Sequence, residues 1–206
     1  MSSLHHLVHQ SFIDVMHRFC QYPKLAEELG KADLGPQVRV LAIGKAAWKM
    51  AAVSVRILAE RGVRAEGLIL TKPGLSHGPL PSFEILPGGH PLPNSDSLAS
   101  SKLITAWLRK SPAKEDLVIL LSGGSSALFE LLPENSDLAD LATEHNRLLK
   151  SGRAIAAINR ERAELSLVKG GRALELTKAR KISIFAVSDV EGNDPWVLGS
   201  GPFTPV

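Results

Sequence analysis

A turn rich in glycine and serine follows the most apolar run of the sequence and could bind an anion. The run covers residues 117–121, and the turn consists of Ser122, Gly123, Gly124, Ser125 and Ser126. Glycine lets the backbone adopt conformations closed to other residues and lets a ligand approach closely, while hydroxyl and amide groups donate hydrogen bonds to anions. The turn therefore predicts a phosphate or carboxylate site. The alternative is a tight connection between a strand and a helix that binds nothing.

A lysine occupies a similar position after the first apolar run. Residues 38–43 lead directly into Gly44 and Lys45, and a helical pattern begins after them. A Gly-Lys pair between a strand and a helix resembles a nucleotide-binding turn in its arrangement. The complete G-x-x-x-x-G-K-[ST] motif is absent. Lys45 could therefore neutralise a phosphate or a developing alkoxide. An exposed lysine in the first turn of a helix is the alternative.

Two further polar residues lie where a ligand could reach them. His90 belongs to segment 87–97, which contains three prolines and two glycines and is too stiff for regular structure. Asp189 follows the apolar run 182–187, and a carboxylate at the end of a strand could bind Mg²⁺. The alternatives are a rigid connection before a helix for His90 and a polar turn for Asp189.

Basic residues mark the region from 153 to 180, which the spacing of apolar residues predicts to be helical almost throughout. They are Arg153, Arg160, Arg162, Lys169 and Arg172. We expect Arg162 and Lys169 to contribute to anion binding. The alternative is a solvated helix face, since charges on helices usually face solvent.

The elements that must position these residues alternate along the chain. Apolar runs at residues 38–43, 67–71, 83–86, 117–121 and 182–187 predict strands, and helical patterns at 5–29, 98–108 and 137–150 predict helices. This order predicts an α/β fold, a Rossmann-like and mostly parallel sheet with helices on both faces. Ligands of such sheets bind beyond the carboxyl ends of the strands, where the three turns would gather.

Composition limits the class of protein. The chain has 206 residues, of which 44% are hydrophobic and 22% charged, and its formal net charge is +3. These values predict one domain over residues 1–206 and give no basic cluster for nucleic acid. The single cysteine, Cys20, excludes an internal disulfide and favours a reducing compartment. Without a long apolar run, the sequence predicts a cytoplasmic protein that does not bind membranes, and it leaves a homodimer open.

Eight short motifs, in register across residues 40–202, resemble the glycerate 2-kinase family, whose members carry a MOFRL domain and are also described as hydroxypyruvate reductases or TtuD-like proteins. The motifs are AIGKA at 42–46, GHPLPN at 89–94, LSGGSSA at 121–127, SG at 151–152, Asn159 with RAELS at 162–166, KGG at 169–171, SDVEG at 188–192 and SGP at 200–202. The resemblance implies ATP-dependent phosphorylation of D-glycerate at its 2-hydroxyl. It also implies that Lys45 is the catalytic lysine and that this chain is the N-terminal domain, without the C-terminal MOFRL domain.

Five positions depart from the family pattern. They are Ser125 in place of a third glycine, Ala163 and Glu164 in place of lysine and histidine, Asn193 in place of an acid and Phe203 in place of a threonine. Two other functions therefore stay open beside the kinase. One is a non-catalytic module that binds a sugar acid, another anion or a nucleotide. The other is an NAD(P)-dependent hydroxypyruvate reductase. The absence of a G-x-G-x-x-G motif after the first strand argues against it.

Overall fold

A parallel sheet forms the centre of the molecule. The computed structural model describes residues 22–153, 155–188, 194 and 196–204. Within these ranges the strands are β1 (Gln37–Ile43), β2 (Arg64–Thr71), β3 (Phe83–Pro87), β4 (Asp116–Ser122) and β5 (Lys181–Val187). They pair in parallel in the order β3-β2-β1-β4-β5. The predicted α/β fold with a mostly parallel sheet is confirmed.

Helices cover both faces of this sheet. In chain order they are α1 (Pro23–Lys31), α2 (Ala47–Glu60), α3 (Ser95–Arg109), the single turn α4 (Ser125–Leu128), α5 (Leu138–Lys150) and α6 (Ile155–Glu164). Short 3₁₀ turns follow at Leu174–Leu176 and Leu198–Ser200. Because consecutive parallel strands need a crossover connection, this alternation of strand and helix brings every strand's carboxyl end to one edge.

The central strands are buried on both faces, which explains their continuous apolar runs. All residues of β4 are buried. On one face Leu41 and Ile43 of β1 pack in a core with Leu108 of α3. On the other face Val40 packs in a second core with Met50 of α2. Side chains of successive strand residues point to opposite faces, so an unbroken apolar run supplies both cores.

The region from 153 to 180 differs from the predicted long helix. Helix α6 ends at Glu164, and turns occupy residues 165–173. There the backbone amides of Gly170 and Gly171 donate to the carbonyls of Ser200 (3.0 Å) and Gly201 (2.7 Å). Contacts to a segment about 30 residues further along the chain therefore replace helical hydrogen bonds. The predicted helix at residues 5–29 is seen from Pro23 onwards, and its earlier part lies outside the described residues.

None of the helices in the described part of the chain is long and apolar enough to cross a bilayer.

Candidate functional site

The turns after β1 and β4 are joined by hydrogen bonds at the carboxyl edge of the sheet. The backbone amide of Lys45 donates to the carbonyl of Gly123 (2.9 Å), and the amide of Ala46 donates to Ser122 Oγ (3.1 Å). The two turns that the sequence singled out for anion binding are therefore one structural unit. The Ser122 hydroxyl is buried and serves to hold this unit together.

Gly124 lies where the lysine and the histidine meet. Its φ angle is +88°, in the left-handed region. A Cβ at this position would lie 2.9 Å from His90 Cδ2 and 3.1 Å from Lys45 Cγ. Both distances are too short for an added methyl group without movement of a neighbour. Gly124 thus permits the close approach of Lys45 and His90, which come from two different turns.

A rigid loop holds His90 against this turn. The peptide bond between His90 and Pro91 is cis. The amide of Gly89 donates to Ser97 Oγ (2.9 Å), and Asn94 caps α3 by accepting from the amide of Ser97 (3.0 Å). The first turn of α3 therefore fixes the loop that carries the imidazole.

Burial lowers the pKa of the half-buried His90 imidazole, and the nearby ammonium groups of Lys45 and Lys72 lower it further. The ring is consequently neutral at pH 7 and offers one donor and one acceptor nitrogen. Lys72 was not predicted as a site residue. The available signal was its position, since it follows the last residue of β2 at the same edge of the sheet.

The remaining hydroxyls of the central turn are directed toward the 3₁₀ turn Leu198–Ser200. Ser126 Oγ lies 3.1 Å from Ser200 Oγ. Ser125 Oγ is buried without a hydrogen-bond partner among the described residues, and a Cβ on Gly199 would lie 2.3 Å from it. Gly199 therefore leaves room for the side chain of Ser125. Ser125 is the residue that replaces the third glycine of the family pattern.

Lys169 lies in the interior, away from the surface that Lys45 and His90 share. Its side chain is 1% exposed and forms an ion pair with Glu130, whose side chain is fully buried. Burial lowers the pKa of Lys169, while the charge of Glu130 raises it. The ammonium group of Lys169 is thus engaged inside the protein, whereas the sequence predicted that it contacts a ligand.

Arg162 lies beside the same buried pair. Its Nε donates to His145 Nε2 (3.1 Å), so His145 accepts with an unprotonated nitrogen. Burial, with the charges of Arg162 and Lys169, lowers the pKa of His145 to about 4. Burial also lowers the pKa of Arg162, and Glu130 opposes this shift. The half-buried Arg162 thus forms a polar cluster with the buried side chains of His145, Glu130 and Lys169.

Asp189, the predicted Mg²⁺ ligand, lies outside the described residues. Within the described ranges, no group of three or more His, Cys, Asp or Glu side chains is placed to hold a metal ion. The described site therefore contributes cationic and backbone groups, which suit an anion.

Comparison with known proteins places this arrangement in a family. Residues 11–206 match DUF4147, a family described as a domain of unknown function. The chain belongs to the DUF4147 family. Among curated proteins similar to this chain, the D-glycerate 2-kinase of Thermotoga maritima is 38% identical over 179 residues. The glycerate 2-kinase of Pyrococcus horikoshii is 37% identical over 166 residues. The resemblance to the glycerate 2-kinase family that the motifs predicted is confirmed.

Solved structures show the same relation for this DUF4147 chain. The crystal structure of glycerate kinase from Thermotoga maritima superposes with a TM-score of 0.80 at 38% identity. A Pyrococcus horikoshii protein superposes with a TM-score of 0.74 at 35% identity. The matches cover 87% and 84% of this chain but 42% and 38% of those chains. The alignments with the two curated relatives cover 87% and 81% of this chain. They cover 42% and 36% of the relatives' own length. The chain therefore spans about two fifths of the proteins it matches.

A cleft of about 510 Å³ in this DUF4147 chain is lined in part by Ser200, whose hydroxyl lies 3.1 Å from Ser126 Oγ. Arg160, Glu164 and Asp194 line it with charges of both signs. Glu164 is one of the departures from the family pattern. Because the charged residues that line it are of both signs, the cleft offers no cluster of a single charge.

The buried His145 predicts a pH dependence of folding stability. Its pKa is about 4 in the folded chain, below the ordinary 6.5, so the unfolded chain takes up a proton first as the pH falls. The stabilisation is complete above about pH 6.5 and decreases between pH 6.5 and 4, by about 3 kcal/mol for this group. Urea unfolding at pH 7 and pH 4.5 measures the decrease. The variant His145→Gln keeps an acceptor for Arg162 but does not titrate, so its loss of stability between the two pH values should be smaller. An equal loss in the variant would show that His145 does not cause the pH dependence.

The pair of Lys169 and Glu130 predicts a second stability effect. Lys169→Met leaves the buried Glu130 carboxylate uncompensated, and we expect a loss of roughly 3–5 kcal/mol in the free energy of unfolding. The double variant Glu130→Gln with Lys169→Met should recover most of it. Urea unfolding at pH 7 provides the comparison. If Lys169→Met kept full stability and lost only ligand affinity, Lys169 would belong to the binding site after all.

Proposed function

We propose that the protein transfers a phosphoryl group from ATP to the 2-hydroxyl of D-glycerate and thereby forms 2-phosphoglycerate. The observation that carries the proposal is the convergence of Lys45, His90 and the Gly123-Gly124 backbone at the carboxyl edge of a parallel sheet. The printed names of the relatives from Thermotoga maritima and Pyrococcus horikoshii, D-glycerate 2-kinase and glycerate 2-kinase, support the choice of reaction.

The proposed role of Lys45 follows from the needs of phosphoryl transfer. Such a reaction requires positioning and charge neutralisation more than covalent chemistry by the enzyme. Lys45 is exposed two residues before the first residue of α2. The hydrogen bond from its backbone amide to the Gly123 carbonyl fixes its backbone. A fixed ammonium group can stabilise charge that develops on the transferring phosphoryl group or on the glycerate hydroxyl. The backbone of the turn around Gly123 and Gly124 would hold the phosphate or the carboxylate.

His90 suits a contact with the same anion or with the substrate hydroxyl. The neutral ring has a donor nitrogen for an oxygen anion and an acceptor nitrogen for a hydroxyl. Ser126, half-buried beside Ser200, would complete the polar wall. Within this proposal Arg162 and Lys169 support the fold behind the site, and Ser122 and Ser125 shape the turn.

ATP would arrive with Mg²⁺, which neutralises phosphate charge in kinases. Lys45 and the glycine turn fit the phosphates of a nucleotide because they offer a cation and close backbone approach. The proposal assigns Mg²⁺ no ligand among the described residues, since none of them forms a suitable cluster. Asp189 keeps its predicted role as the candidate. One domain over residues 1–206, a cytoplasmic location and a homodimer remain predictions from the sequence.

The test combines binding with turnover for the 206-residue chain. Isothermal titration with D-glycerate and, separately, with Mg·ATP measures binding, and an ADP-release assay with both substrates measures transfer. ADP release that depends on D-glycerate is the expected result. Binding of one ligand without ADP release would favour the non-catalytic binding module. If neither ligand bound at millimolar concentration, the proposed site would be wrong.

The hydroxypyruvate reductase alternative has a separate test. The turn after β1 carries Lys45, and Lys45 is tied to Gly123 instead of opening a dinucleotide-binding loop. We therefore expect no change in nicotinamide absorbance when the chain is mixed with NADH and hydroxypyruvate. Oxidation of NADH in that mixture would contradict the kinase proposal and favour the reductase.

A further inference from the structure

Lys72 is the first residue beyond β2, and hydrogen bonds of the preceding residue fix its position. Thr71 Oγ1 donates to the carbonyl of Gly44 (2.9 Å), and the carbonyl of Thr71 accepts from the amide of Gly88 (3.1 Å). Thr71 is 2% exposed. It therefore ties the turn that carries Lys45 to the loop that carries His90, and Lys72 emerges between them.

The charges around His90 lack a counterion among the described residues. Lys45 and Lys72 are the charged side chains that act on the pKa of His90, and both oppose its protonation. Neither lysine forms an ion pair within the described part of the chain, although both are exposed at the same edge. Two positive charges at the same edge of the sheet repel each other, and an anion bound between them would remove this repulsion.

We propose that Lys72 binds the same anion as Lys45, and that this anion is a phosphate group. The proposal rests on the proposed kinase function and adds a residue and a ligand charge to it. One ammonium group is sufficient to balance a carboxylate. Two ammonium groups with an imidazole donor match the charge of about −2 and the three oxygens of a phosphate group.

The Lys72 side chain takes no part in the hydrogen bonds that join the turns. The hydrogen bonds that fix this position come from Thr71 and from backbone groups, and none involves the Lys72 amine. The side chain can therefore be shortened or neutralised while Thr71 keeps the three turns together. A variant at Lys72 tests ligand binding without disturbing the fold.

His90 provides a readout that does not depend on turnover. A bound phosphate would offset the charges of Lys45 and Lys72, so it should raise the pKa of His90. Histidine labelled with ¹³C in the 206-residue chain allows this pKa to be measured by NMR, and His90→Gln identifies the His90 signal among seven histidines. Inorganic phosphate is the probe, with sodium chloride at matched ionic strength as the reference.

The expected results form a set. Phosphate raises the pKa of His90 in the unaltered chain. Lys72→Met raises the pKa of His90 without phosphate and weakens phosphate binding roughly 10- to 100-fold, as expected for loss of one charged hydrogen bond. The matched control Lys110→Met removes an exposed lysine at the C-terminal end of α3 and should change neither quantity.

Two results would overturn the inference. One is an unchanged phosphate affinity in Lys72→Met, which would make Lys72 a solvated surface lysine. The other is a Lys72→Met variant that weakens D-glycerate binding but not binding of phosphate, Mg·ADP or 2-phosphoglycerate, which would make the ligand group a carboxylate. Titrations with Mg·ADP and 2-phosphoglycerate also show whether the phosphate comes from the nucleotide or from the product.

Failure of the inference and failure of the kinase proposal can be told apart. If Lys72→Met leaves phosphate affinity unchanged while the unaltered chain releases ADP with D-glycerate, the inference alone is wrong. If Lys72→Met weakens phosphate binding but no ADP is released with D-glycerate, the phosphate site stands and the proposed reaction fails.

Discussion

Lys45→Met should lower the rate of ADP release with D-glycerate by about 10³-fold while the fold stays intact. Methionine keeps an unbranched side chain beside Gly124 that is one atom shorter, and it removes the charge. Lys45 is exposed, and its hydrogen bond to Gly123 comes from the backbone, so the substitution leaves the junction of β1 and β4 in place. Steady-state ADP release and thermal unfolding, measured on the same preparation, test both parts of the expectation.

Lys110→Met is the matched control for this experiment, since it removes one exposed lysine far along α3. Its ADP release should equal that of the unaltered chain. Unaltered ADP release in Lys45→Met would show that Lys45 has no part in the reaction. A lowered melting temperature in Lys45→Met would instead assign the lysine a structural role, contrary to the geometry of the turn.

Gly44→Ala should lower the free energy of unfolding by about 5 kcal/mol, a large part of the stability of an ordinary domain. The φ angle of Gly44 is +130°, a conformation that residues with a Cβ rarely adopt. A Cβ there would lie 2.1 Å from Ser122 Oγ and 2.6 Å from the Ser122 carbonyl oxygen. The second contact is with backbone of a central strand, which cannot move aside. Urea unfolding with tryptophan fluorescence measures the loss.

Gly62→Ala separates the clash from the backbone strain. Gly62 also has a positive φ angle, +71°, but a Cβ there would have no neighbour within 4 Å. We expect this control to lose only about 1–2 kcal/mol, the cost of a left-handed conformation. Equal losses in the two variants would show that the contact between Gly44 and Ser122 is not tight.

Much of the fold could be predicted because the central strands are buried on both faces. Such strands leave an unbroken apolar run in the sequence, and residues 117–121 show it clearly. The apolar spacing was less informative at residues 165–173, where the amides of Gly170 and Gly171 bond to Ser200 and Gly201. A pattern of local spacing contains no information on a hydrogen bond to a distant segment.

The candidate site was predicted in outline for a geometric reason. Parallel strands end at one edge, so the turns carrying Lys45 and Gly123 had to be neighbours once both strands were recognised. The closeness of His90 to Gly124 was less predictable, because it depends on how the loop after β3 folds back. The sequence did not single out Lys72, because a lysine after a strand is common and its position between the turns of Lys45 and His90 depends on the hydrogen bonds of Thr71.

The sequence by itself determined the parallel sheet, because strands buried on both faces leave continuous apolar runs, and its motifs indicated the family. It also predicted that the turns after these strands lie at one edge of the sheet. Only the tertiary structure decided which charged residues face that edge. Lys169 and Lys45 both stand next to glycine in the sequence, yet Lys169 is buried against Glu130, 39 residues away, and Lys45 is exposed beside His90. The function open to a charged side chain depends on its partner and its burial, and packing of distant segments sets both.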